Sequence, residues 1–230
     1  MNFSAACVII IYGEVIIRGK SEYDYIKNII RRNYFMCGIV GYIGQRDCTD
    51  VLMQGLEKLE YRGYDSAGIA VFEKTGIKTV KTKGKLADMR HKLDIEGSPV
   101  GHCGIGHTRW ATHGEPSDIN SHPHTNGRVT IVHNGIIENY IELKEFLTEK
   151  GYTFTSQTDT EVVACLLDYY YSERNPLRAI TETLKELKGS YALGIIFRDF
   201  PDRVYATRKE SPLIVGIGEN EYFIGSDIPA

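Results

Sequence analysis

Cys37 stands in the run Phe35-Met36-Cys37-Gly38, and Met-Cys-Gly has the form of a translation start set thirty-five residues into the chain. If Met36 is removed, Cys37 carries a thiol and a free α-amine on one residue. An unperturbed α-amine titrates at about 7.7–8.0, so it can take the proton of its own thiol directly or through one water. That is nucleophile activation by an N-terminal amine. The competing reading is a buried strand cysteine, the commonest fate of a free thiol. Gly38 and Gly41 beside it leave room for a second backbone to come close.

Five further residues could complete that chemistry. Arg109, in Gly106-His107-Thr108-Arg109-Trp110-Ala111-Thr112-His113-Gly114, offers a planar fork that matches a carboxylate in two places. Its bland alternative is a surface ion pair. Trp110, the one tryptophan, is either a lid or a core anchor. Asn134-Gly135 reads locally as a hairpin turn, or as an amide and a backbone N–H aimed at one oxyanion. Asp159 opens a helix, where an acid complements the dipole, or where it could accept a substrate ammonium. Together Arg109 and Asp159 would hold an α-carboxylate and an α-ammonium. Cys37 would attack a side-chain amide carbon, and Asn134 with Gly135 would hold the oxyanion. The matching substrate is glutamine or asparagine.

Six of the seven histidines fall between His102 and His133, which raises the question of a metal. Zinc ligands come in close pairs plus a distant third. Here the close pair is His122/His124, with no H-E-x-x-H and no acidic cluster beside it, so no metal is expected. The proposed chemistry needs no organic cofactor either.

The elements that must position these residues follow from periodicity. Strands are expected at Gly38–Ile43, Ala67–Phe72, Ile77–Lys81, Cys103–Trp110, Val129–Val132, Tyr191–Phe197, Arg203–Thr207, Leu213–Ile217 and Tyr222–Ile224. Helices are expected at Asp50–Leu59, Leu86–Leu93, Asn139–Lys150, Asp159–Tyr171 and Pro176–Lys188. Thr158-x-x-Glu161 is a capping box for the fourth helix. Strands and helices come in blocks, not in βαβ alternation. That predicts an α+β fold of largely antiparallel sheets stacked face to face, with helices outside.

Composition sets the class. The 230 residues are 42% hydrophobic and 25% charged, with a net charge of −3, an ordinary globular balance. No basic footprint for nucleic acid or an anionic membrane is present. Five cysteines, an odd number without C-x-x-C spacing, suggest neither a disulfide framework nor a zinc ribbon, and a reducing cytoplasm is the plain expectation. The apolar run from Ala5 to Tyr12 lacks a basic lead and is too short to span a bilayer.

The runs Cys37–Gly41, Glu60-Tyr-Arg-Gly-Tyr-Asp-Ser-Ala-Gly68, His107–Gly114, His133-Asn-Gly135 and Thr158-Asp-Thr-Glu161 resemble the class II glutamine amidotransferases. Among these, the chain is most similar to the members that aminate fructose 6-phosphate, on the strength of Tyr61-Arg-Gly-Tyr-Asp65. The likeness covers Met36 to Ala230. It implies a four-layer αββα sandwich of the N-terminal nucleophile hydrolase type, with Cys37 as nucleophile and Asn134 and Gly135 as the oxyanion hole. It further implies that Arg109, Thr112, His113 and Asp159 bind the backbone groups of glutamine and that Trp110 closes over them. Arg62 and Gly63 match a loop lining the nucleophile, and His122 is a candidate for gating the site.

Two departures stand out. Members of this type begin at the nucleophile, whereas residues 1–35 precede it here. They read as an over-extended start, with a propeptide or a small appended element as alternatives. Residues 36–230 read as the glutaminase domain, cut before a C-terminal sugar-phosphate isomerase domain. Fructose 6-phosphate would then be reached only through that missing domain, and a homodimer is an open expectation for the full-length protein. The rival readings are the glutaminase domain of another class II amidotransferase and a glutamine-binding domain whose Cys37 is blocked by the extension.

Overall fold

A strand buried on both faces must present apolar side chains to two layers at once, and the central strands of this protein do so. The computed structural model describes the backbone of residues 6–11 and 14–16 together with residues 37–111 and 114–230. In β3 (Gly38–Ile43), Val40 and Tyr42 point to one cluster while Ile39 and Ile43 point to another. The same alternation runs through β9 (Gly189–Phe197), where Leu193, Ile195 and Phe197 face away from Ala192 and Ile196.

Two six-stranded sheets result. The first runs β11 (Ile214–Ile217), β12 (Tyr222–Gly225), β3, β6 (Cys103–Arg109), β4 (Ser66–Glu73), β5 (Gly76–Lys83). The second runs β2 (Glu14–Ile16), β1 (Ala6–Ile11), β10 (Arg203–Lys209), β9, β8 (Val129–Ile137), β7 (His124–Asn126). Every neighbouring pair is antiparallel except β1 with β10. Ile105 of the first sheet meets Val132, Ala192 and Ile196 of the second in the layer between them.

Helices cover both outer faces. α1 (Cys48–Lys58) and α2 (Leu86–Glu96) pack Leu52, Leu56 and Met89 on the first sheet. α3 (Tyr140–Glu149), α4 (Asp159–Tyr170) and α5 (Pro176–Glu186) pack Leu147, Val163, Leu166 and Ile180 on the second. The expected αββα order of layers is therefore present. Among the described residues, the members of the three apolar clusters lie between residues 39 and 230.

Local reading went wrong at one point that matters. Asn134-Gly135 does not make a hairpin. β8 continues through both residues to Ile137, paired with β9 in unbroken register from Val129↔Phe197 to Ile137↔Gly189. The turn signal loses because nine consecutive residues find partners on β9, and a ladder of that length outweighs one favourable dipeptide. Strand β7 and the parallel pairing of Ala6–Ile11 with β10 were not expected from the sequence.

Candidate active site

The nucleophile candidate lies where the two sheets come together at one end. Cys37 immediately precedes β3, whose antiparallel partner β6 pairs Gly38 with Thr108. Arg109 therefore ends β6 beside Cys37, and Trp110 follows it. From the opposite sheet, β8 brings Asn134 and Gly135. The N-terminus of α4 brings Asp159. All six side chains or backbones line one cleft of about 260 Å³.

The sulfur is held by backbone. The Trp110 N–H donates to Cys37 Sγ at 3.1 Å, and Sγ lies 3.5 Å from the Trp110 carbonyl oxygen. Burial pushes the thiol up from its ordinary value, against the Trp110 N–H and the Arg109 charge, which pull it down. A resting thiol of that kind keeps its proton and needs a base to become a thiolate. Trp110 is 42% exposed, so it is a rim residue and not a core anchor.

The Arg109 side chain is buried, and its Nη2 donates to the Gly114 carbonyl at 3.1 Å. Asp65, which the sequence reading quoted inside a motif without giving it a role, braces this strand end. Its carboxylate accepts from Ala111 N at 2.5 Å, and its own N–H donates to the Arg109 carbonyl at 2.8 Å. The segment that cradles the sulfur is thereby tied to the Glu60–Asp65 turn.

Asn134 Nδ2 donates to the Cys37 carbonyl at 2.8 Å, so its amide group points at Cys37. Gly135 has φ +127°, a region closed to side chains that carry Cβ. A Cβ there would strike the Ser190 carbonyl oxygen and stand 2.9 Å from Tyr191 Cα. The strand can pass this close to β9 only as glycine.

Thr158 caps α4, its Oγ1 accepting from Glu161 N at 3.3 Å. The Glu161 carboxylate reaches back past the cap to Thr155 N and Ser156 N, fixing the entry to the helix. Asp159 Oδ2 accepts from Ile137 N at 2.9 Å and Oδ1 lies 3.7 Å from His133 Nδ1. The acid thus bridges α4 and the end of β8.

Arg62 lies behind Cys37. It closes a 3₁₀ turn, Glu60–Arg62, ended by Gly63 at φ +73°. Its guanidinium reaches the Cys37 carbonyl at 3.4 Å and Asp227 at 2.7 Å. Neither Arg62 nor Gly63 lines the cleft. Thr112 and His113 lie outside the described residues.

His122 is buried and forms part of the cleft wall, with Nε2 3.1 Å from Thr160 Oγ1. Around it sit His107, His124 and His133, with ring centroids 4.2, 5.0 and 6.5 Å away. Sequence reading could register the crowding of histidines but not that three strands and a loop fold them into one cluster. No group of three or more His, Cys, Asp or Glu placed to hold a metal occurs among the described residues. No helix among them is long and apolar enough to cross a membrane.

The cluster has a consequence for stability. Burial lowers His107 and His124 to about 3 each, while an unfolded histidine titrates near 6.5. Below about pH 6.5 the unfolded chain therefore binds protons that the folded chain does not. The stabilisation is complete above that pH and is lost as pH falls. From pH 7 to pH 5 the unfolding free energy is expected to drop by about 2 kcal/mol for each of these rings. Urea unfolding at the two pH values measures it. Equal stabilities would mean that the rings take up protons while folded.

Residues 107–230 match the glutamine amidotransferase domain family. The glutamine–fructose-6-phosphate aminotransferases (isomerizing) of Clostridium tetani and Clostridium perfringens are 59% and 61% identical over 197 residues. In each case the match covers 85% of this chain and 32% of the relative, so the chain spans about a third of their length. Among solved structures, the glutamine phosphoribosylpyrophosphate amidotransferase of B. subtilis, complexed with ADP and GMP, superposes with a TM-score of 0.70. It is 27% identical, over 83% of this chain and 42% of that one. The two stacked sheets and their helical covers are thus the N-terminal nucleophile hydrolase sandwich.

Proposed function

Because this chain belongs to the class II glutamine amidotransferase domain family, we propose that its cleft hydrolyses glutamine to glutamate and ammonia with Cys37 as nucleophile. The observation that carries this is the convergence of Cys37, Arg109, Asn134, Gly135 and Asp159, from four separate segments, on one cleft. Arg109 takes the substrate α-carboxylate and Asp159 its α-ammonium. Thr112 and His113 join them by the same resemblance, and Trp110 closes the rim.

The steps follow from the groups present. Once Met36 is gone, the Cys37 amine removes the proton from Sγ, and the thiolate attacks the amide carbon of glutamine. Negative charge collects on the amide oxygen, where Asn134 Nδ2 and the Gly135 N–H donate to it. The intermediate collapses as the Cys37 ammonium gives its proton to the departing nitrogen, releasing ammonia and leaving a thioester. Water, deprotonated by the same amine, then attacks the thioester, freeing glutamate and restoring the thiol. The test is glutamate release from a chain that begins at Cys37, read by a coupled dehydrogenase assay. A free, titratable Cys37 thiol without glutamate release would sink the proposal.

The acid at the head of α4 makes a separate prediction. Asp159→Asn keeps an acceptor for Ile137 N but removes the charge that meets the ammonium. KM for glutamine is expected to rise about 10- to 100-fold, the range for a hydrogen bond to a charged group, with kcat within a few-fold. Unchanged KM in initial-rate measurements would assign Asp159 to structure alone.

Ammonia would pass to fructose 6-phosphate on a further part of the full-length protein. The support is the name carried by the relatives from both Clostridium species. A cytoplasmic setting and a homodimer of the full-length protein belong to the same reading, and light scattering measures the latter. A second reading has its own observation, the seating of Ala6–Ile11 along β10. If residues 1–36 stay attached, the domain binds glutamine without hydrolysing it. N-terminal sequencing of the protein purified from its source separates the two.

A further inference from the structure

The chemistry above makes no use of His107, although this ring is fully buried and touches the oxyanion residue. It projects from the middle of the first sheet, where Ile39 pairs with it in β3 and Gly68 in β4. Its ring crosses to the second sheet. Nε2 stands 2.9 Å from the His133 carbonyl oxygen and 2.9 Å from Asn134 Oδ1.

Those two contacts can be read in sequence. A backbone carbonyl only accepts, so Nε2 must carry the hydrogen. A protonated Nε2 only donates, so the Asn134 atom facing it must be the oxygen. The amide is planar, and its NH₂ group is then turned the other way, where Nδ2 meets the Cys37 carbonyl at 2.8 Å. Nδ1 is left as a lone pair and has no hydrogen-bond partner among the described residues, as that tautomer requires. Burial, with the neighbouring His133 and Arg109, holds the ring neutral. The donor at Nε2 is therefore constant through the working pH range.

We propose that His107 is a positioning residue for the oxyanion step: its Nε2–H locks the Asn134 amide so that NH₂, not oxygen, faces the reacting carbonyl. This rests on the glutaminase reading. Without the lock, Asn134 Oδ1 is a buried acceptor without its donor, and a half-turn of the amide lets it seek another. The turned amide presents lone pairs to a developing negative charge, which removes the donor and adds repulsion.

The test compares His107→Leu and His107→Gln in the chain that begins at Cys37, which retains every described member of the three apolar clusters. Leu fills the space without a donor. Gln places an N–H near the position of Nε2. Three quantities are read: kcat, KM for glutamine, and the rate of Cys37 alkylation by iodoacetamide, a displacement that develops no oxyanion. The Leu variant is expected to lose about 10²–10³-fold in kcat, the range for one lost oxyanion donor. KM and the alkylation rate stay within about three-fold of the parent, and Gln recovers about ten-fold or more of the lost kcat. The inference is overturned if the Leu variant keeps its kcat. It is also overturned if kcat and alkylation fall together and Gln restores neither, which would make His107 a packing residue. Nitrogen NMR of the parent 230-residue chain reads the tautomer independently of activity. A proton on Nδ1 instead of Nε2 removes the lock even in an active enzyme. A chain beginning at Cys37 with His107 in place but without glutaminase activity refutes the hydrolysis reading and leaves the tautomer result to decide the orientation of Asn134.

Discussion

Cys37→Ala, in a chain beginning at residue 37, is expected to lower glutamine hydrolysis by at least about 10⁴-fold, the scale on which a covalent nucleophile is lost. The substitution removes one sulfur from a half-buried position and leaves every apolar cluster intact. Stability should change little, because among the described residues Sγ takes only the backbone of Trp110 as hydrogen-bond partner. Glutamine should still bind, since Arg109 and Asp159 are untouched. The informative experiment pairs a rate assay with calorimetric titration of glutamine. Loss of turnover with retained binding supports the assignment. Residual hydrolysis within ten-fold of the parent would move the nucleophile elsewhere, because no other described thiol reaches the cleft: Cys48, Cys103 and Cys165 are all buried in the cores.

The second large effect concerns nitrogen. Acetylation of the Cys37 amine, or retention of residues 1–36, turns that amine into an amide with no basicity. The thiol is already pushed up by burial, so it loses its only proposed proton acceptor. Loss of a general base is expected to reduce turnover about 10²–10⁴-fold. The sign with pH also changes. In the free form, activity should rise through the titration of the amine. In the blocked form, the remaining activity should rise only as the thiol itself ionises, at higher pH. Side-by-side pH–rate profiles of the two forms measure this. Superimposable profiles would show that the amine takes no part.

How much of this was legible in the residues can be judged at particular positions. The apolar runs Gly38–Ile43 and Tyr191–Phe197 announced strands, and the blocks of strands and helices announced stacked sheets. Both patterns are local, since period 2 and period 3.6 are written in consecutive residues. Arg109, Asp159 and Cys37 could be nominated because their chemistries fit one substrate. Asn134-Gly135 marks the limit. Its local preference is a turn, and its place in β8 depends on β9, more than fifty residues away. Asp65 and His107 were missed as site residues for a related reason. Neither type is distinctive in its own segment, and each acts through an atom on another element: Asp65 through Ala111 N, His107 through Asn134 Oδ1.

Residue types and their order were therefore enough to nominate the parts of a reaction: a thiol, a cation, an anion and an amide donor. They were also enough to say that helices would flank two sheets. Which way the Asn134 amide points, which tautomer His107 adopts, and why residue 135 has to be glycine were decided by contacts between the two sheets and between neighbouring strands. Those contacts are short-range forces between groups distant in sequence, so they come into being only when the layers pack and water is gone from between them.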